Sequence, residues 1–184
     1  NKAPETKKRH VLGKIEITTK CNQECLFCPV DHTEKELGFD DIRRKMEELK
    51  GKGTTEIMFS GGEPTLRADL AELIRLAFGM GFKEVSVQTN GSNLHDLDTL
   101  KSYLTAGPTK FDISYHSHRK EIFERISGQK GSFEKFIMGL ENIRKLNVAA
   151  YYTVVIHSLN YKALKEQIEF SEKQIEVSLG DGVS

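Results

Sequence analysis

Strand-like and helix-like patterns alternate along this chain almost without interruption, and that alternation limits its possible folds more than any other feature. "VLGKIEITT" (11–19) reads as a strand, and Phe39, Ile42, Met46 and Leu49 then fall on one face of a helix over 39–50. "EIMFS" (56–60) is a second strand ending in "GGEP", followed by a helical stripe of Leu66, Leu70, Leu73, Ile74 and Ala77. "EVSVQT" (84–89) closes in "NG" and precedes a helix marked by Leu94, Leu97, Leu100 and Leu104. "FDISYH" (111–116) is a fourth strand. Ser132 is placed to N-cap a helix carrying Phe133, Phe136, Ile137, Leu140 and Ile143. "AAYYTVVIH" (149–157) is a fifth strand, Asn160 can cap a helix through Leu164 and Ile168, and "IEVSL" (175–179) reads as a sixth strand.

Strand–helix repeats with short links are the pattern of βαβ crossovers in a parallel sheet. A complete eight-fold barrel needs about 250 residues, and this chain has 184. The expected fold is therefore α/β: a partial (β/α)6 TIM-like barrel of parallel strands, with an open doubly wound sheet as the alternative. Residues 1–10 are expected to be an N-terminal extension and 11–184 a single core domain. The start without Met and the end at "LGDGVS" suggest a fragment lacking a C-terminal, substrate-covering part.

The unusual residues fall at the C-terminal ends of the strands. A loop with every cysteine of the chain, "CNQECLFC" (21–28), follows the first strand and "GGEP" the second; "QTNG", "SYHSH" and "IHSLN" close the next three. In parallel α/β folds that rim is where ligands gather. Three closely spaced thiols do not suit a disulfide framework and point to a reducing, cytoplasmic setting. Lys+Arg and Asp+Glu both number 27, so bulk attraction to nucleic acid or membrane is not expected. No apolar run approaches the 18 or so residues of a membrane span.

Thiolates spaced by four and then three residues can wrap a soft metal centre. A structural zinc site closes its shell with four ligands, so a Cys₃His site would need His10 or His32. A [4Fe–4S] cluster normally takes four thiolates. Three would leave one iron open, which is the property of a catalytic centre.

The CxxxCxxC spacing of Cys21, Cys25 and Cys28, with an aromatic before the last cysteine, resembles the radical S-adenosylmethionine (radical SAM) enzymes, and "GGEP" resembles their second motif. The peptide-modifying, sulfatase-maturing and molybdopterin-biosynthesis-like branches are the nearest in motif. The resemblance implies that the three cysteines hold a [4Fe–4S] cluster whose open iron binds the amino and carboxylate groups of S-adenosyl-L-methionine (SAM). It implies that the backbone at Phe27 contacts adenine and that Gly61, Gly62 and Glu63 face the methionyl ammonium. Gln88 and Ser114 would contact the ribose or carboxylate. Arg125 would pair with the SAM carboxylate or be a solvated helix arginine; Val155 would pack on adenine or be plain core. His116 and His118 depart from the acidic pattern of those branches and are either substrate-facing or polar residues at a strand exit.

By the same resemblance, an external flavodoxin- or ferredoxin-like carrier supplies one electron, SAM is cleaved, and a 5′-deoxyadenosyl radical removes hydrogen from the substrate. No acid–base triad is found, so no catalytic residue is assigned beyond the cluster. No cysteine follows Cys28, so the chain has no cysteines for an auxiliary cluster. An open barrel side favours a peptide or other large substrate, with a tRNA or nucleotide as the alternative. An iron–sulfur carrier or a zinc-binding module are the readings from other classes.

Overall fold

The computed structural model describes residues 11–31, 33 and 35–175. In chain order the elements are β1 (Leu12–Thr18), α1 (Phe39–Gly51), β2 (Glu56–Gly61), α2 (Leu70–Gly79), β3 (Glu84–Thr89) and α3 (Leu97–Ala106). There follow β4 (Thr109–Ser114), α4 (Lys120–Ser127), α5 (Ser132–Lys145), β5 (Ala150–Thr153) and α6 (Leu164–Ile175). All neighbouring strands pair in parallel, in the order β1-β2-β3-β4-β5.

The burial pattern selects between the two architectures. On one sheet face Ile17, Ile57, Phe59, Val85, Val87, Phe111 and Ile113 are fully buried. Each such side chain contributes about 1.5–3 kcal/mol of burial. The intervening residues form the other face: Lys14, Glu16, Gln88, Asp112, Ser114 and Thr153 are exposed or only half-buried. A doubly wound sheet is covered by helices on both faces and reads as continuous apolar runs. Apolar cover on one face only, with the buried residues of the other face polar (Ser60 and Ser86), in strands added in sequence order, is the arrangement of barrel staves. The polar face is the lumen.

Several elements differ from the sequence expectation. Leu66 and Leu94 sit in short 3₁₀ turns (Pro64–Leu66 and Ser92–His95) ahead of α2 and α3. Helix α4, touched in the sequence only through Arg125 as a helix residue and given no bounds there, packs Phe123 and Ile126 inward. Ser132 does not cap α5: it is the first helical residue, its Oγ donates to Gln129 O (2.7 Å), and Gly131 at φ 75° makes the turn. That left-handed turn folds the hydroxyl back onto the preceding loop and away from the helix N–H groups. Strand β5 stops at Thr153 instead of 157. Asn160 does not cap with its side chain; buried, it donates to Val155 O and His116 O (2.9 Å each) and accepts from His157 N (2.7 Å). Its amide thus takes up carbonyls that a longer strand would have offered to a ladder. The expected sixth strand and the N-terminal extension lie outside the described residues.

Candidate active site

The cysteine loop is closed at its base by the strand it leaves. Thr19 N donates to Lys35 O (2.8 Å) and Leu37 N to Ile17 O (3.1 Å), an antiparallel return along the end of β1. Arg67 locks this base from below. Its Nη1 donates to Ile17 O (3.0 Å) and Leu37 O (2.8 Å), while Nε and Nη2 form a bidentate pair with Asp69 (2.9 and 2.7 Å). Further out, Glu24 N and Leu26 N donate to Ser127 O (2.9 Å) and Ile126 O (3.0 Å) at the end of α4. A turn from Cys25 O to Cys28 N (3.0 Å) brings the last two thiols round.

The glycines of "GGEP" serve β1 first. A Cβ on Gly61, at φ 124°, would lie 2.1 Å from Thr18 O, and one on Gly62 would lie 2.1 Å from Lys20 O. Only glycine lets β2 run so close to the root of the cysteine loop. The contact is cemented by Gly62 N to Thr18 O (2.8 Å) and Glu63 N to Lys20 O (2.7 Å).

Glu63 is fully buried. Its Oε1 accepts from Thr65 N (3.1 Å), Thr65 Oγ1 (2.6 Å) and Thr89 Oγ1 (2.7 Å), and its Oε2 from Asn90 N (2.7 Å). Burial pushes its carboxyl up from the ordinary value, and these donors pull against that shift. The network continues from Asn90, whose Nδ2 donates to Asn22 Oδ1 (2.7 Å) and reaches Cys21 Sγ at 4.0 Å; Asn22 in turn donates to Ser92 Oγ (2.9 Å). The exits of β2 and β3 are thereby tied to the cysteine loop. Asn90, Asn22 and Arg67 are not among the residues singled out in the sequence, where "QTNG" marks a strand end on the rim and points to Gln88 alone.

These parts enclose a cavity of about 450 Å³, within the range of small-molecule sites. Cys21, Cys25, Phe27, Cys28, Gly61, Gly62, Gln88, Ser114 and Val155 all line it, joined by Gln23, Asn90 and His116. Cavities of similar size beside α1 and beside Asn93–Thr99 gather no comparable chemistry, so the residues and not the volume single this one out. Three expected positions lie elsewhere. Glu63 faces Thr65, Thr89 and Asn90, Arg125 is exposed on α4, and His118 faces Phe170 of α6 with ring centroids 6.4 Å apart. His116 is buried against the edge of Phe27 (4.7 Å between centroids), and its Nδ1 accepts from Val155 N (3.4 Å). Burial lowers its imidazole to about 4.

The donor set suits an iron–sulfur cluster. Burial, and then the neighbouring charges of Cys21 and Cys28, push the Cys25 thiol up to about 12; burial raises Cys21 as well. Thiols so raised gain their charged form by binding a strongly positive centre. Among the described residues no three His, Cys, Asp or Glu side chains are grouped to hold a single metal ion, while all three thiols line the one cavity. His10 and His32, the fourth ligands a zinc site would need, lie outside the described residues.

Comparison with known proteins agrees. A dimethyltransferase of Methanocaldococcus jannaschii, named for 7,8-dihydro-6-hydroxymethylpterin, is 41% identical over 110 residues, 56% of this chain and 22% of that protein. A probable GTP 3',8-cyclase of Saccharolobus islandicus is 33% identical over 163 residues, 86% of this chain and 52% of the cyclase. The chain thus spans about half the length of the cyclase and less of the dimethyltransferase. Among solved structures, Streptococcus suis SuiB bound to precursor peptide SuiA superposes with a TM-score of 0.76 at 16% identity, over 91% of this chain and 38% of SuiB. Native anSMEcpe with bound AdoMet gives 0.72 at 22%, over 90% and 49%. At those identities the likeness is one of fold, the partial barrel. The family model that matches, over residues 15–171, is that of the radical SAM superfamily, whose enzymes use SAM and a [4Fe–4S] cluster, and to that family this chain belongs.

Proposed function

We propose that this chain is the core of a radical SAM enzyme acting on a guanine- or pterin-type heterocycle. The observation that carries the chemistry is the single cavity shared by the three thiols, the "GG" edge, Gln88, Ser114 and Val155. When bound there, a reduced cluster and SAM supply one-electron cleavage of a C–S bond and a carbon radical that takes a hydrogen atom. Cys21, Cys25 and Cys28 are the residues to hold the cluster. The N–H groups of Gly62 and Glu63 are engaged by Thr18 O at the end of β1 and Lys20 O at the root of the cysteine loop, so carbonyl oxygens are what this edge offers a methionyl ammonium. Glu63 anchors that edge from behind. Phe27 and Val155 offer apolar contact to an adenine, and Gln88 and Ser114 offer polar contact to the sugar or carboxylate. Arg125 would reach a SAM carboxylate only through rotation of its exposed side chain. An external one-electron carrier completes the system.

Two lines support the substrate class. The relatives named above carry pterin and GTP in their names, and both rings present N–H donors along one edge. The lumen holds an acceptor for such an edge. Asp112 shares a face with Gln88 and Ser114, and accepts from Thr153 Oγ1 (2.6 Å) and Gln88 Nε2 (3.5 Å). A carboxylate has about four lone-pair sites, so acceptor capacity remains. The second reading is a peptide beside β5, the last strand of the sheet among the described residues, favoured by exposed Tyr151 on that strand and Ile156 just beyond it.

The test is substrate-stimulated SAM turnover in the anaerobically reconstituted protein, with GTP, a dihydropterin or a mixed peptide pool added in turn. The heterocycles should raise turnover, and Asp112→Asn should raise the KM of the stimulating heterocycle by about ten-fold, as expected for one polar contact. Stimulation by peptides alone would overturn the heterocycle reading.

A further inference from the structure

Gln23 lies two residues before Cys25, is 5% exposed, and has hydrogen bonding that does not close. Its Oε1 accepts from the Cys25 thiol at 3.6 Å, while its Nε2 is buried and has no partner. Asn90, the amide beside Cys21, differs in that its Nδ2 is already engaged at 2.7 Å by Asn22.

The Gln23 arrangement holds only while Cys25 keeps its proton. A cysteine that ligates iron is a thiolate and only accepts. The contact to Oε1 would then set one acceptor against another, with Nε2 still orphaned. Half a turn of the amide about its last bond removes the opposition of two acceptors. Nε2–H then points at sulfur, and Oε1 takes the place Nε2 had. Gln23 also lines a second cavity of about 90 Å³ together with Lys130 and Lys135, whose ammonium groups, or a water there, suit a carbonyl oxygen.

We propose that Gln23 is a positioning residue of the cluster: its amide N–H donates to the Cys25 sulfur or to an adjacent cluster sulfide and raises the cluster's reduction potential. The inference rests on the assignment of Cys25 as a cluster ligand. Reduction adds one electron, from dithionite in a titration, to a cluster whose sulfurs share the added negative charge. A donor aimed at sulfur stabilises the reduced form more than the oxidised one. No bond to Gln23 forms or breaks.

The experiment compares the wild-type chain with Gln23→Leu and Gln23→Glu. Iron and sulfide content is measured first, then the cluster midpoint potential by an EPR-monitored titration without SAM. The midpoint should move to more negative potential in Gln23→Leu, and further in Gln23→Glu, which replaces a donor by a charge. A fully loaded cluster with an unmoved midpoint in both variants overturns this proposal alone. A wild-type chain that takes up no iron and sulfide overturns the cluster assignment and the proposal with it. Where a variant fails to load, the wild type decides. With glutamine side-chain amides labelled with nitrogen-15, pulsed EPR of the reduced cluster should show a coupling that survives Gln88→Leu; its absence overturns the proposal.

Discussion

Glu63 and His116 are both buried at the rim, one accepting every donor around it and the other held neutral. Replacing Glu63 by Gln would turn an amide NH₂ towards the backbone N–H of either Thr65 or Asn90, each of which can only donate. Glu63→Gln should lower the unfolding free energy of the metal-free chain by about 2 kcal/mol, read from urea denaturation. His116 answers to pH. Its imidazole titrates at about 4 in the folded chain and near 6.5 when unfolded. The unfolded state therefore binds more protons between those values, and stability falls as pH drops through that window. The full effect is about 3 kcal/mol. Urea unfolding of the wild type and His116→Gln between about pH 7 and pH 4 should give a visibly flatter profile for the variant. The sequence revealed that both residues sit on the rim, but not what they touch. "GGEP" specifies residue types at a spacing; that Glu63 meets Thr89 and Asn90 depends on β3 arriving beside β2.

At the scale of elements, the cysteine loop is held by parts far from it in sequence: the return at Lys35 and Leu37, the Arg67 clamp, and the end of α4. Arg67→Met would take the guanidinium donor from the Leu37 carbonyl, leave the Ile17 carbonyl with Leu37 N alone, and leave Asp69 without its cation. It should cost about 2–3 kcal/mol by denaturant unfolding and lower the iron bound per chain on reconstitution. Cluster uptake unchanged in that variant would separate the clamp from the loop it frames. Most strands and long helices were legible because their apolar periods extend over enough residues. Helix α4 was not: eight residues make barely two turns, too few for Phe123 and Ile126 to establish a period. The early end of β5 was equally hidden. "AAYYTVVIH" is β-prone throughout, and what stops the ladder is the amide of Asn160, three residues beyond it.

For the whole molecule, one-sided burial is the property from which function follows. Strands paired in sequence order leave one face polar, and the chain places its cysteines, its glycine edge and its polar rim residues around the mouth of that face. No helix among the described residues is long and apolar enough to cross a membrane. The fold class could be read from alternation because each strand–helix repeat carries its own signal; the substrate could not, since lumen residues such as Asp112 are ordinary polar residues until the strands are paired. If three thiols around one cavity make a SAM-cleaving centre, the chain reconstituted with iron and sulfide without oxygen, reduced with dithionite and given SAM yields 5′-deoxyadenosine, assayed by chromatography. Product is expected from the wild type and none from Cys25→Ala; a chain that takes up zinc, refuses iron and leaves SAM intact would rule such a centre out.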